Sequence, residues 1–239
     1  MSNLVTVKNF RMSFADKQVI KDLSFSVKKG EIFGLLGSNG SGKTTIVRTL
    51  LGLYQPTAGT LHIDGKPFTP NGKITVGYLP EERGLYLKET VIDVMTYFGQ
   101  LKGQKDPKRW SLEYLNRVNL EDVATKQINK LSSGMQQKVQ LGITIMNNPG
   151  LLILDEPTKG FDPVNRRLLM EIIGQLHVKG TTIILITHYM DEVERLCDRA
   201  LLLKDGVARA YGRLQDIKKQ FGGKSLDQIF VNIYGETDE

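Results

Sequence analysis

Cysteine is nearly absent from this chain: Cys197 stands alone among 239 residues. One thiol cannot build an intrachain disulfide framework, so a reducing compartment is expected, with Cys197 as a buried thiol on a helix. Long apolar runs are missing as well. None reaches the ~18–20 residues that a membrane-spanning helix needs. The start, MSNLVTVKNF, alternates like a strand and lacks the apolar core of a signal peptide. Any membrane role is therefore expected to be peripheral, through a partner. Tandem repeats and low-complexity stretches are also lacking, and the acidic end GETDE reads as a loose tail.

What remains is an ordinary globular composition, 40 % hydrophobic and 24 % charged, long enough for one large or two small domains. The 32 basic residues outnumber the 26 acidic ones, giving +6. That balance suits an anionic ligand, an anionic membrane surface or nucleic acid without choosing between them.

Along the chain, LVTVKNFRMSF, VIKDLSFSV and EIFGLLG read as strands, with KKG as the turn before the last. EIFGLLG has no alternation, as expected for a strand covered on both faces. A helix, TTIVRTLLGL, follows a glycine-rich loop, and TLHIDG and KITVGYL are strand-like again. Helical patterns then take over in TVIDVMTYFGQLKG, DPKRWSLEYLNRV and the run from Ser132, where Met135, Val139, Ile143 and Met146 keep helical spacing. Strands return as LLILD and TTIILITH around the helix VNRRLLMEIIGQLHV, and ALLLKDG is read as closing the core. The fold class is α/β: a mostly parallel sheet with helices, an antiparallel β portion near the N-terminus, a helical insertion at 82–148 and a C-terminal extension at 213–239.

GSNGSGKTT, residues 37 to 45, fits G-x-x-x-x-G-K-[ST] between a strand and a helix. Gly37, Ser38, Asn39, Gly40, Ser41 and Gly42 let backbone amides close around phosphate oxygens. Lys43 reaches the β and γ phosphates, Thr44 offers a hydroxyl to Mg²⁺, and Thr45 opens the helix. The core is thus expected to be of the P-loop NTPase kind. In LLILDEP, Asp155 and Glu156 end an apolar strand where open α/β sheets place their ligands. Asp155 is read as a Mg²⁺ holder and Glu156 as the group facing an attacking water, although a carboxylate can also simply end a buried strand. His188 ends TTIILITH in the same way, as a hydrogen-bond partner for the γ phosphate or as a structural histidine. LSSGM at 131 to 135 leads into a helix whose free N–H groups suit an anion or only a cap.

Taken in order, these residues resemble the ATP-binding subunits of ABC transporters over nearly the whole chain. LSSGM looks like a variant of that family's LSGGQ signature. The resemblance implies a single ABC cassette over 1–239 in which Ser132 and Gly134 contact the γ phosphate of ATP held by a second cassette. Phe14 falls where the family stacks an aromatic on adenine; its alternative is a strand aromatic in the core. KGFDP at 159 to 163 looks like the D-loop, and His188 falls at the switch histidine. GYLPEERGLY at 77 to 86 looks like the Q-loop, with Glu81, a further candidate Mg²⁺ ligand, where glutamine is usual. Ser133 and Met135 depart from the signature, and Lys159 stands where serine is common.

The implied activity is ATP hydrolysis with Glu156, His188 and Lys43 as catalytic groups and ATP and Mg²⁺ as ligands. The implied partners are an integral membrane permease and a second cassette, at the cytoplasmic side of the membrane. GYLPEERGLY and KSLDQIFVNIYGE are similar to the branch that pairs with separately encoded export permeases. Nucleic acid is not expected as a partner. The rival is a soluble ABC-type ATPase acting on nucleic acid or ribosomes, which usually carries two cassettes in one chain or a long coiled-coil insertion. A regulator without turnover is disfavoured by Glu156.

Overall fold

The computed structural model describes residues 2–235 other than Asn71 and Arg83; most of the GETDE tail lies outside the described residues. Two sheets carry the fold. The first is antiparallel, in the order β2 (Lys17–Lys28), β1 (Asn3–Phe14), β4 (Ala58–Ile63). The second runs β5 (Val76–Leu79), β6 (Leu151–Asp155), β7 (Thr182–Ile186), β3 (Ile32–Leu36), β8 (Arg199–Lys204), β9 (Val207–Arg213). All its neighbours pair in parallel except β8 with β9. The architecture is that of a P-loop NTPase core with an N-terminal antiparallel portion, as expected.

The unbroken apolar runs of β3, β6 and β7 are buried at every position, and their side chains divide between two cores. Leu152, Leu154, Ile183, Leu185, Ile32 and Leu36 face a helical layer. Leu151, Ile153, Ile184, Ile186, Phe33 and Leu35 face the antiparallel sheet and the helix α1 (Lys43–Leu50). Alternate residues of one strand thus enter opposite layers, which is why period-2 patterning is invisible there.

The helical layer comprises α2 (Val91–Leu101), α3 (Pro107–Arg117), α4 (Ser133–Ile145), α5 (Pro163–Val178), α6 (Met190–Leu196), α7 (Leu214–Gln220) and α8 (Leu226–Tyr234). Short side chains start several of them. Thr90, Asp106, Asp162 and Ser225 accept backbone N–H groups at the first turns of α2, α3, α5 and α8, and Pro107 and Pro163 follow their caps. The helix α4 differs from its amphipathic reading. Besides Val139, Ile143 and Met146 it buries Gln137, Lys138, Gln140 and Thr144. Lys138 Nζ donates to Val118 O at 3.0 Å, and burial pulls its ammonium below the usual lysine range.

ALLLKDG does not close the core. At Asp205 and Gly206 the chain turns with φ of 52° and 74°, the left-handed pair of a type I′ hairpin turn, and β9 returns beside β8. Cys197 is buried as expected, at the residue that ends α6.

Candidate nucleotide site

Four adjacent parallel strands, β5, β6, β7 and β3, end on the same edge of the sheet. Just past their carboxyl ends the chain places Glu81, Asp155 with Glu156, His188, and the loop from Gly37. All of them line one cleft of about 560 Å³, together with Ser38, Asn39, Gly40, Gly42, Lys43, Thr44 and Thr45.

The loop is shaped by close backbone contact. A Cβ on Gly37 would lie 2.5 Å from Leu203 O, and one on Gly42, where φ is +110°, would lie 2.5 Å from Ile20 Cδ1. Only glycine fits at either place. Gly42 precedes α1 without a side-chain cap, so the first N–H groups of that helix face the cleft mouth unspent. Lys43 Nζ folds back to donate to Gly37 O at 2.8 Å and Ser38 O at 2.9 Å. Burial pulls its ammonium down, opposed by Asp155, Glu156 and Glu81. Ser41 does not line the cleft; it is buried under the loop, its Oγ without a partner.

Burial pushes the Asp155 carboxyl up to about 6, helped by the charges of Glu81 and Glu156 and opposed by Lys43 and Arg48. Glu156 sits in a left-handed backbone conformation, φ 49°, its N–H on Ile186 O at 2.8 Å. A non-glycine residue held there costs about 1–3 kcal/mol and is typical of functional sites. His188 Nδ1 lies 2.8 Å from Glu156 Oε2, a buried oxygen with no other partner.

The donor set fits a hard cation that arrives with its ligand. Thr44 and Asp155 offer oxygen atoms, yet among the described residues no three of His, Cys, Asp and Glu converge on a metal position. Mg²⁺ is commonly held by one or two protein oxygens and completed by phosphates and water. Glu81 Oε1 is engaged by Lys159 Nζ at 2.6 Å.

Three expected residues lie away from the cleft. Phe14 is at the end of β1, 40 % exposed, its ring edge-on to Tyr54 at 5.2 Å; it is not a core aromatic. Ser132 Oγ accepts from Met135 N at 3.3 Å as the cap of α4. Gly134 packs under Phe161, which a Cβ would meet at 3.3 Å. Three residues outside the expected ligand set line the cleft: Val19, Phe230 and Lys159, the cation beside the D-loop. Phe230 arrives on α8, which is anchored by Tyr234 Oη donating to Leu203 O at 3.1 Å. The spacing Ser225-x-x-Gln228 before Leu226, Ile229 and Phe230 signals that helix; nothing local signals where it docks.

Comparison with known proteins agrees with this geometry. The family model described as ABC transporter matches residues 20–159. An ABC transporter ATP-binding protein of Methanocaldococcus jannaschii is 46 % identical over 91 % of this chain and 80 % of its own length. The Nod factor export ATP-binding protein I of Bradyrhizobium diazoefficiens is 37 % identical over 96 % of this chain and 77 % of its own. A solved ATP-binding subunit of an ABC transporter superposes with a TM-score of 0.88 at 32 % identity, covering 96 % of this chain and 99 % of that one. Phosphate loop, strand-end carboxylates and these relatives together place the chain in the ABC transporter family, among its ATP-binding proteins.

Proposed function

We propose that this chain binds and hydrolyses ATP with Mg²⁺ and that hydrolysis drives export through a separate membrane permease. The observation that carries the reading is the convergence of Gly37–Thr45, Asp155, Glu156 and His188 at the ends of neighbouring parallel strands in one cleft.

In this reading Lys43 Nζ exchanges the Gly37 and Ser38 carbonyls for phosphate oxygens. The loop amides and the start of α1 hold the phosphate charge by fixed dipoles. Thr44 and Asp155 hold Mg²⁺, which when bound supplies neutralising charge to the phosphates. Glu156 orients a water and takes its proton. His188, beside it, donates to the γ phosphate. Positioning and electrostatics supply most of the rate in such transfers. Phe14, exposed at the end of β1 outside the cleft lining, is the aromatic offered to stack on the base. Ser132 and Gly134 serve the nucleotide of a second cassette, which fits their place outside this chain's own cleft.

Among the described residues no helix is long and apolar enough to cross a membrane. The permease is expected to dock on the helical segment, where Tyr86, Leu87, Tyr97 and Leu101 are about half exposed or more. In this reading the chain works at the cytoplasmic side of the membrane, and the similarity to an export protein supports the direction.

The deciding experiment is to tag the chain in its native cells, solubilise membranes gently, identify the co-purifying polypeptides and assay them for ATP hydrolysis. A multi-spanning protein is expected, with hydrolysis that Lys43→Ala abolishes. Recovery of only ribosomal or nucleic-acid-binding proteins overturns the transport reading.

A further inference from the structure

Behind the cleft lies a carboxylate that the site does not use. Glu192, in the first turn of α6, is 1 % exposed. Its Oε1 accepts from Arg166 Nε at 2.7 Å and from the Thr158 hydroxyl, and its Oε2 accepts from Thr187 Oγ1 at 3.0 Å. Thr158 and Thr187 are each 1 % exposed. A carboxylate leaves water only when charge and lone pairs are both served, and here the partners come from three segments: α5, the loop after β6 and the end of β7.

The addresses of the two threonines give the cluster its meaning. Thr158 is two residues after Glu156, and Thr187 directly precedes His188. The two side chains that meet at 2.8 Å in the cleft are therefore each tethered, within two residues, to the same carboxylate. Thr187 is held in both directions, because its Oγ1 also accepts from Tyr189 N at 3.1 Å, so its hydrogen must point to Glu192. That brackets His188 with hydrogen bonds on either side. Joining α5 to α6 would not require these ties, since Arg166 already reaches Asp191 Oδ1 at 2.7 Å on the surface.

We propose that Glu192 is a positioning residue: through Thr158 and Thr187 it sets the placement of Glu156 relative to His188, with Arg166 balancing its charge. This rests on the reading of the cleft as an ATP site. Precise placement of a base and its partner acts on the chemical step, whereas the phosphate loop, which carries ground-state affinity, lies outside the cluster.

The test uses the full chain with Thr187→Val, Glu192→Gln and Thr187→Ser. It reads ATP affinity with a fluorescent analogue, steady-state hydrolysis, and the ¹⁵N imidazole spectrum of the three histidines. Thr187→Val and Glu192→Gln are expected to lower kcat at least tenfold, keep ATP affinity within about twofold, and move the His188 signal while His62 and His177 stay put. Thr187→Ser, which keeps the hydroxyl, recovers most of the rate. If Glu192→Gln does not fold, Thr187→Val decides. An unmoved His188 signal or an unchanged kcat overturns the proposal, as does a loss of affinity in step with the loss of rate. Failure of the unaltered chain to bind ATP instead overturns the site itself, and the proposal with it.

Discussion

The segment carrying Glu156 is gripped twice by ion pairs of nearly equal length and very different setting. On one side Lys159 meets Glu81 at 2.6 Å, with side chains 58 % and 49 % exposed. On the other, Arg166 meets Glu192 at 2.7 Å, with side chains 23 % and 1 % exposed. Distance says little about the strength of either. Water screens the first, and side-chain entropy erodes it further. The second is shielded, and each partner depends on the other to have left water at all. The buried grip therefore belongs to the fold and the exposed one to the tuning of charge at the cleft.

The largest expected effect breaks the buried side. Glu192→Ala leaves Arg166 and two threonine hydroxyls without their acceptor, and should cost about 3 kcal/mol of unfolding free energy, the low end for a broken buried pair because Asp191 remains. Urea unfolding measures it, with Lys159→Ala as the exposed counterpart, expected to leave the midpoint where it was. Equal shifts in the two variants would erase the distinction. Next comes the group both grips surround. Glu156→Gln keeps the shape but loses the base, so turnover should fall by about a hundredfold or more while ATP binding persists; unchanged hydrolysis removes Glu156 from catalysis.

The same contrast explains what could be read without a structure. The phosphate loop, Asp155, Glu156 and His188 were legible because each follows an apolar strand, and strand ends in a parallel sheet share one edge. Glu192 and Thr158 were not: a glutamate in MDEVERL and a threonine in EPTKG look like solvated helix and loop residues, and only tertiary packing buries them. The hairpin from β8 to β9 is written in the Asp205-Gly206 pair between two strand-like runs. The Lys159–Glu81 contact joins residues 78 positions apart, with no local pattern to announce it. Phe14 shows the opposite limit: a strand aromatic is an ordinary core residue, yet its place at the last position of β1 leaves it 40 % exposed.

A smaller effect concerns Asp155, buried among Glu81 and Glu156. With its carboxyl pushed from 3.8 up to about 6, the folded state binds this proton more tightly than the unfolded chain does. Stability from this group is therefore greatest below pH ~4, falls as the pH rises towards ~6 and is level above. Asp155→Asn removes the charge, and should raise stability at pH 7 by about 2 kcal/mol relative to pH 4 while losing the Mg²⁺ dependence of ATP binding. Urea unfolding at the two pH values checks it, and parallel curves for the two proteins would show that burial costs Asp155 nothing.

The smallest effect sharpens the comparison from the exposed side. Glu81, Asp155 and Glu156 bring three carboxylates to a cleft meant for a polyanion, and Lys159 offsets the one that stands closest to it. Lys159→Ser uncovers that negative charge and should weaken ATP binding, most of all without Mg²⁺; Glu81→Gln removes it and should strengthen binding. Because the pair is half in water, each change should amount to about fivefold or less and shrink as salt is added. The double variant restores the net charge and should bind ATP nearly as the unaltered chain does, in titrations with and without Mg²⁺. An affinity in the double variant that departs from the original as far as either single change would mean that Lys159 and Glu81 touch without acting on the nucleotide. The buried grip would then be the only one of the two with a consequence for the cleft.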